Sequence, residues 1–154
     1  MVEFTDRAQG QCRFSLAERG DVIIRRRDGV YAYQLAVVVD DAIQGVTDVV
    51  RGADLLDSTP WQLALQHALG LPRPNYLHLP LVVERDGEKL SKSRRSVPVD
   101  SIDTGPELHQ VLTLLRQEPP AELKLEPVPT VVAWAVAHWR PAGFSLVREV
   151  EATT

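Results

Sequence analysis

Residues 46–83 constrain the fold most, because three consecutive stretches have the patterns of a strand, a helix and a second strand. Residues 46–51 are rich in β-branched side chains, which favour an extended backbone. Residues 61–69 have leucines four positions apart and precede Gly70, a common residue type at the end of a helix. Residues 76–83 are predicted to be a buried strand. This order predicts an α/β fold.

The remaining chain has weaker patterns. Residues 1–20 are polar and are predicted to be irregular, and residues 22–26 are predicted to be a short strand. Residues 31–39 are apolar, but their periodicity does not distinguish a strand from a helix. Two helices are predicted later in the chain, at residues 107–117 and 130–139.

These elements predict two domains. Residues 1–98 form an α/β domain that ends with a loop rich in lysine, serine and arginine, and residues 99–154 form a small helical subdomain. Pro80 lies inside the predicted strand at residues 76–83. Proline cannot donate a backbone hydrogen bond, so a bulge or an edge position is expected there.

The composition excludes several classes of protein. The 154 residues are 44% hydrophobic and 25% charged, as in a soluble globular chain. No apolar run is long enough to cross a bilayer, and no secretory signal pattern is present, so a cytoplasmic protein is predicted. A net charge of -4 argues against a protein that coats nucleic acid. Cys12 is the single cysteine and cannot form an internal disulfide or a cysteine-rich zinc site.

The loop at residues 89–93 has the composition of a phosphate-binding segment. Lys89 and Lys92 are three residues apart, with Ser91 between them and Ser93 after them. Such a loop can present two ammonium groups to one site, and a departing pyrophosphate needs positive charge in the transition state. The alternative interpretation is a solvated loop, which is more common for an isolated pattern of five residues.

Other charged and titratable residues have a structural interpretation that competes with a functional one. Arg25, Arg26 and Arg27 form a second basic cluster, which solvated loop charges would also explain. Asp40 and Asp41 could be a metal-binding or acid–base pair, although anchoring of the adjoining turn is favoured. The four histidines have no spacing typical of metal ligands, and no metal-binding residues are predicted.

The loop resembles the Lys-Met-Ser-Lys-Ser signature of class I aminoacyl-tRNA synthetases, with leucine in place of methionine. The glutamyl branch of that class is similar to four upstream stretches in order and interval, namely residues 26–29, 33–41, 45–55 and 76–81. Residues 132–139 look like the terminal helix of the short members of that branch, the glutamyl-Q tRNA(Asp) synthetases. The resemblance implies the second half of a Rossmann-like class I catalytic domain, followed by a small helical segment.

The resemblance also implies roles for individual residues. Tyr33 and Arg51 match residues that contact the substrate glutamate, and an arginine fork suits a carboxylate. Lys89 and Lys92 are implied to be catalytic. The residues implied to bind ATP all belong to the loop: Lys92, Ser91 and Ser93. Without the resemblance, Tyr33 would be interpreted as a half-buried core aromatic and Arg51 as a surface residue paired with Asp54.

The short members of the branch activate glutamate with ATP and transfer it to the queuosine base of tRNA(Asp). The resemblance therefore implies glutamate, ATP and tRNA(Asp) as partners, with Mg²⁺ accompanying ATP. The sequence has neither the His-Ile-Gly-His type of motif nor the cysteine-rich zinc segment of the family. We expect the chain alone to be inactive in glutamate activation and to need the N-terminal half. The alternatives are a non-catalytic subunit that depends on a partner, and a fragment of a glutamyl-tRNA synthetase.

Overall fold

The computed structural model describes residues 1–83 and 104–151. The chain divides into two compact units, Met1–Leu79 and Pro80–Thr154. The predicted loop at residues 89–93 lies outside the described residues. Among the helices that are described, none is both long enough and apolar enough to span a membrane.

A four-stranded mixed sheet forms the base of the first unit. Its strands are β1 (Val2–Asp6), β2 (Gly10–Phe14), β3 (Asp48–Gly52) and β4 (Asn75–Leu79), in the spatial order β2-β1-β4-β3. β1 and β2 form an antiparallel hairpin, whereas β4 runs parallel to both of its neighbours. β4 therefore lies between β1 and β3, so its side chains can contact residues of both neighbouring strands.

Along the chain, the helical segments of the first unit connect the hairpin, β3 and β4. The short helix α1 (Leu16–Arg19) follows the hairpin, and α2 (Tyr33–Gln44) precedes β3. A 3₁₀ segment (Ala53–Ser58) leads directly into α3 (Thr59–Leu69). The helix α3 ends at Gly70, whose φ of 63° is in the left-handed region that glycine adopts without steric cost.

The core of the first unit lies between the sheet and the segment that carries α3. Its apolar cluster consists of Phe4, Cys12, Leu56, Leu63 and Tyr76. Leu56 has no exposed surface, and burial of such a side chain contributes about 2 kcal/mol. The core thus joins the hairpin, the 3₁₀ segment, α3 and β4, and it holds the elements that carry the polar residues described below.

The second unit contains two helices and a small parallel sheet among its described residues. The helices are α4 (Gly105–Leu114) and α5 (Val128–His138), and the sheet pairs β5 (Leu81–Val83) with β6 (Glu149–Glu151). Two 3₁₀ segments, Ala121–Leu125 and Pro141–Phe144, complete it. Leu112, Leu123 and Val131 form its core cluster.

Several predicted elements are confirmed. A strand occupies most of residues 46–51, a helix covers residues 61–69, and the two later helices are present. The ambiguous stretch at residues 31–39 is helical from Tyr33 onward, within α2. The predicted α/β arrangement of strand, helix and parallel strand is also present in β3, α3 and β4.

Three local predictions were wrong. Residues 1–20 contain the hairpin. Its first strand lacks the alternating apolar pattern of a half-buried strand, because one inward position of β1 is the polar residue Asp6. Residues 22–26 make only a single bridge, Arg25 to Tyr31, and residues 23–26 are exposed. The predicted strand at residues 76–83 is two strands in different sheets, because Pro80 separates β4 from β5.

Candidate active site

Arg51 and His78 are direct neighbours across two parallel strands. Arg51 lies on β3 and His78 on β4, and their Cα atoms are paired in the register of the sheet. Side chains at paired positions project from the same face of a sheet. The strand pairing therefore places the guanidinium group of Arg51 beside the imidazole ring of His78.

One edge of the Arg51 guanidinium is held by the protein. Its Nε donates to Nε2 of His78 at 3.0 Å, and its Nη2 donates to Thr59 Oγ1 at 2.9 Å and to Gln62 Oε1 at 2.8 Å. The guanidinium carbon also lies 5.4 Å from the ring centroid of Tyr76, within the range of a cation–π interaction. Within the part of the chain that the structure describes, no atom accepts a hydrogen bond from Nη1.

Asp6 lies on the other side of His78 and is almost completely buried. Its Oδ2 is 2.6 Å from Nδ1 of His78, and its Oδ1 accepts from the backbone N–H groups of Ala8, Gln9 and His78. Burial acts to raise the pKa of Asp6, but the hydrogen bonds from His78, Gln9 and Ala8 outweigh it and leave the pKa below its ordinary value. Asp6 is therefore a buried carboxylate, whose Oδ1 accepts from three backbone N–H groups.

These contacts define the proton arrangement of His78. Arg51 can only donate, so Nε2 of His78 must accept and cannot carry a proton. The carboxylate of Asp6 can only accept, so the proton of the neutral ring lies on Nδ1. The three side chains thus form a continuous chain of hydrogen bonds from a carboxylate through a neutral imidazole to a guanidinium group.

Tyr33, the second residue that we predicted to bind glutamate, is the first residue of α2, and its side chain is 51% exposed. Its neighbour Gln34 is joined to Arg51 through Gln62. The amide Nε2 of Gln62 donates to Gln34 Oε1 at 2.7 Å, while Oε1 of Gln62 accepts from Arg51. The start of α2 is therefore connected by hydrogen bonds to the arginine of β3.

The structure describes only some of the remaining candidate residues that the sequence singled out. Lys89, Ser91, Lys92 and Ser93 lie outside the described residues. Asp40 and Asp41 both lie on α2. No group of three or more histidine, cysteine, aspartate or glutamate side chains in the described ranges could hold a metal ion.

Sequence reasoning did not identify Asp6, His78, Thr59 and Gln62 as members of a site. Asp6 lies in a stretch that is predicted to be irregular, and His78 lies in a stretch that is predicted only to be a strand. One available signal was a histidine between apolar residues in the strand pattern of β4, because a buried imidazole requires polar partners. Which partners it has depends on strand pairing, which the sequence does not display.

The chain matches a known family of proteins. The family model for the catalytic domain of class I tRNA synthetases (E and Q) matches residues 1–111, which is more than half of the chain. The chain therefore belongs to the class I tRNA synthetase family of the E and Q group.

Within this family, the chain is similar to curated proteins that share one name. The chain is 57% identical over 140 residues to a glutamyl-Q tRNA(Asp) synthetase of Pseudomonas fluorescens, a match that covers 90% of this chain and 47% of that protein. It is 54% identical over 151 residues to a protein of the same name from Xanthomonas axonopodis pv. citri, covering 97% of this chain and 50% of that protein. The chain thus spans about half the length of these relatives.

Solved structures support the same fold. A glutamate-tRNA synthetase from Elizabethkingia anophelis superposes with a TM-score of 0.75 at 19% identity, covering 99% of this chain and 34% of that one. A glutamate tRNA ligase from Elizabethkingia meningosepticum gives a TM-score of 0.66 at 21% identity. The predicted fold class, α/β with the architecture of a class I synthetase catalytic domain, is confirmed.

Proposed function

We propose that the chain supplies the glutamate-binding side of an enzyme that activates glutamate with ATP and transfers it to queuosine in tRNA(Asp). Similarity to glutamyl-Q tRNA(Asp) synthetases at 52–58% identity supports this reaction. Because the chain covers 47% of the first of these relatives, we assign the activity to a protein that also holds the part left uncovered.

The arrangement of Arg51 carries the proposal. Its Nε and Nη2 groups are occupied by His78, Thr59 and Gln62, whereas Nη1 has no acceptor among the described residues. A guanidinium group held in this way can donate its remaining N–H groups to a carboxylate without reorganising. Glutamate is a substrate of the required chemistry, because it has two carboxylates.

The reaction that we propose has one bond-forming and one bond-breaking event in its first step. A carboxylate oxygen of glutamate attacks the α-phosphorus of ATP in line, and the bond from that phosphorus to the β-phosphate oxygen breaks. Arg51 and Tyr33 orient glutamate, which lowers the entropic part of the barrier. Lys92, aided by Lys89, stabilises the charge on the departing pyrophosphate, with Ser91 and Ser93 as further contacts to ATP.

In the proposed reaction, magnesium accompanies ATP. The described residues contain no cluster of histidine, cysteine, aspartate or glutamate side chains that could hold the ion. Mg²⁺ is commonly held by substrate phosphates and water with few protein ligands, and when bound it neutralises phosphate charge. We therefore assign no protein ligand to it.

A complementation experiment tests the proposed function. The purified chain is combined with the part of the Pseudomonas fluorescens relative that the match leaves uncovered, and exchange of labelled pyrophosphate into ATP is measured. We expect exchange that depends on glutamate, is not supported by glutamine, and requires both parts. Transfer is then measured to tRNA(Asp) with and without queuosine, and it is expected only with queuosine.

Arg51→Lys in the same mixture tests the binding role. Lysine keeps the charge but cannot donate to His78, Thr59 and Gln62 and still present a free N–H group, so we expect the KM for glutamate to rise about tenfold or more. Arg13→Lys is the matched control, because Arg13 is an exposed residue paired with Glu3 on the hairpin. Robust exchange by the chain alone would contradict the need for the second part, and charging of tRNA without queuosine would contradict the proposed acceptor.

A further inference from the structure

We propose that Asp6 and His78 are positioning residues, which hold the guanidinium group of Arg51 in one orientation and leave its Nη1 group available to a substrate carboxylate. This inference rests on the proposed function of Arg51 as a glutamate-binding residue. It assigns a role in substrate recognition to two side chains that do not themselves touch the substrate.

The chain of contacts starts at a fixed carboxylate. Asp6 ends β1, and its Oδ1 accepts from the backbone N–H groups of Ala8 and Gln9 in the turn that follows. The neighbouring N–H of Arg7 donates to the backbone oxygen of Tyr76, which ties this turn to β4. Asp6 is 1% exposed, so neither solvent nor a change of rotamer can readily replace these bonds.

The fixed carboxylate determines which nitrogen of His78 carries the proton. With the proton on Nδ1, directed to Asp6 Oδ2 at 2.6 Å, the lone pair of Nε2 is directed to Arg51. The opposite tautomer would place an N–H on each side of the 3.0 Å contact between His78 and Arg51, and two donors repel. The negative charge of Asp6 therefore keeps Nε2 of His78 unprotonated, so that it can accept the hydrogen bond that Arg51 donates.

If Asp6 and His78 served only to stabilise the fold, the network would not need to end at a partly buried arginine. A buried ionic group is weak evidence for stability, because its desolvation cost can exceed its Coulombic gain. Here Asp6 and His78 are fully buried, whereas Arg51 is only partly buried and keeps one nitrogen without an acceptor among the described residues. The rigid end of the network is inside the fold, and the end that can reach a ligand is Arg51.

The tautomer of His78 is the first test, and it requires no substrate. ¹⁵N NMR of the histidine ring in the 154-residue chain is expected to show a protonated Nδ1 and an unprotonated Nε2. In Asp6→Asn, the amide can donate to Nδ1, so the proton is expected to move to Nε2. A proton on Nε2 in the unmodified chain would overturn the inference.

The orientation of Arg51 is read from hydrogen exchange at its Nε–H group. We expect this proton to exchange at least about tenfold faster in Asp6→Asn, because its acceptor on His78 is lost. Asp48→Asn removes the same charge from the exposed start of β3 and is expected to leave the exchange rate unchanged. Equal exchange in the unmodified chain and in Asp6→Asn would overturn the inference, whether or not glutamate binds.

A second pair of variants covers the case in which Asp6→Asn does not fold. His78→Gln keeps an oxygen near the position of Nε2, whereas His78→Leu removes the acceptor. We expect the KM for glutamate in the complemented mixture to rise about tenfold in His78→Leu and to recover most of that loss in His78→Gln, with kcat changed less than KM. The same KM in both variants would overturn the inference. If the unmodified mixture shows no glutamate-dependent exchange, the proposed function fails, and the two NMR measurements still decide the inference.

Discussion

At the residue scale, Asp6 is a charged group that the fold keeps almost completely buried. A carboxylate without partners would be too costly there, but Asp6 has four N–H donors from the turn and from His78. These bonds stabilise the ionised form more than burial destabilises it, and the pKa of Asp6 is lowered as a result. The stability of the first unit is therefore linked to the ionisation of this residue.

We predict that this linkage is visible in acid. The folded-state pKa of Asp6 lies below the unfolded value of about 3.9, so its contribution is complete above about pH 4 and is lost as the pH falls through the folded value. At pH 7, Asp6→Asn should lower the free energy of unfolding by about 2 kcal/mol, because hydrogen bonds to a charged acceptor are lost. Urea unfolding at several pH values should show this difference shrinking below pH 4.

The exposed residue Asp48 provides the control for this prediction. Asp48 pairs with Arg7 at the surface, so Asp48→Asn should change the free energy of unfolding by less than about 1 kcal/mol. A constant difference between the unmodified chain and Asp6→Asn from pH 7 to pH 3 would show that the ionisation of Asp6 does not contribute.

At the element scale, the end of α4 is joined to the turn after α5 by a buried glutamine. Nε2 of Gln117 donates to the backbone oxygens of Leu115 and Arg140, and its Oε1 accepts from the backbone N–H of Arg140. The 3₁₀ segment Pro141–Phe144 follows directly, and its Phe144 side chain is fully buried. The backbone oxygen of Arg116, which follows α4, lies so close to Gly143 that no side chain fits at this position.

We predict that Gly143→Ala destabilises the second unit. A Cβ atom at this position would lie 2.7 Å from the backbone oxygen of Arg116, and a backbone atom cannot move aside as the end of a flexible side chain can. Strain of this kind costs about 1–3 kcal/mol, which thermal unfolding measures directly. Ala142→Ser adds one atom to an exposed position of the same turn and should change stability by less than about 0.5 kcal/mol. Equal melting temperatures for both variants would contradict the packing described here.

At the scale of the whole molecule, each of the two units has its own core. In the first unit, β3 pairs with β4 and the hairpin pairs with β4 from the other side, so all four described strands of this sheet lie within Met1–Leu79. The polar network of Asp6, His78 and Arg51 is also contained in this unit. The second unit has a separate cluster of Leu112, Leu123 and Val131.

We predict that residues 1–79 fold when they are produced without the rest of the chain. Because the four described strands of the sheet and the core cluster lie within them, we expect a cooperative urea transition with a stability of a few kcal/mol, as is common for small domains. The His78 ring should show the same ¹⁵N signals as in the whole chain. The matched control is Leu63→Asp in the same fragment, which places an unpaired charge in the core and should abolish the transition. A fragment without dispersed amide signals would contradict this prediction.

The sequence alone predicted the elements whose signals are local. The β-branched residues of β3, the proline and glycine that bound α3, and the apolar spacing of α4 each act on the backbone within a few residues. Tyr33 and Arg51 were singled out from a motif resemblance, and the family match that supports this resemblance covers residues 1–111. Their roles in binding glutamate remain predictions.

Tertiary structure decided the features that depend on distant pairing. The hairpin of β1 and β2 was not predicted, because its inward residue Asp6 has no apolar character and finds its partner 72 residues later in His78. The division of residues 76–83 between two sheets likewise depends on where β6 pairs. The sequence by itself determined the family and the local elements, because both depend on residue types in order along the chain. Only the tertiary structure determined that Arg51 is held by His78 and Asp6, because strand register decides which buried polar groups meet.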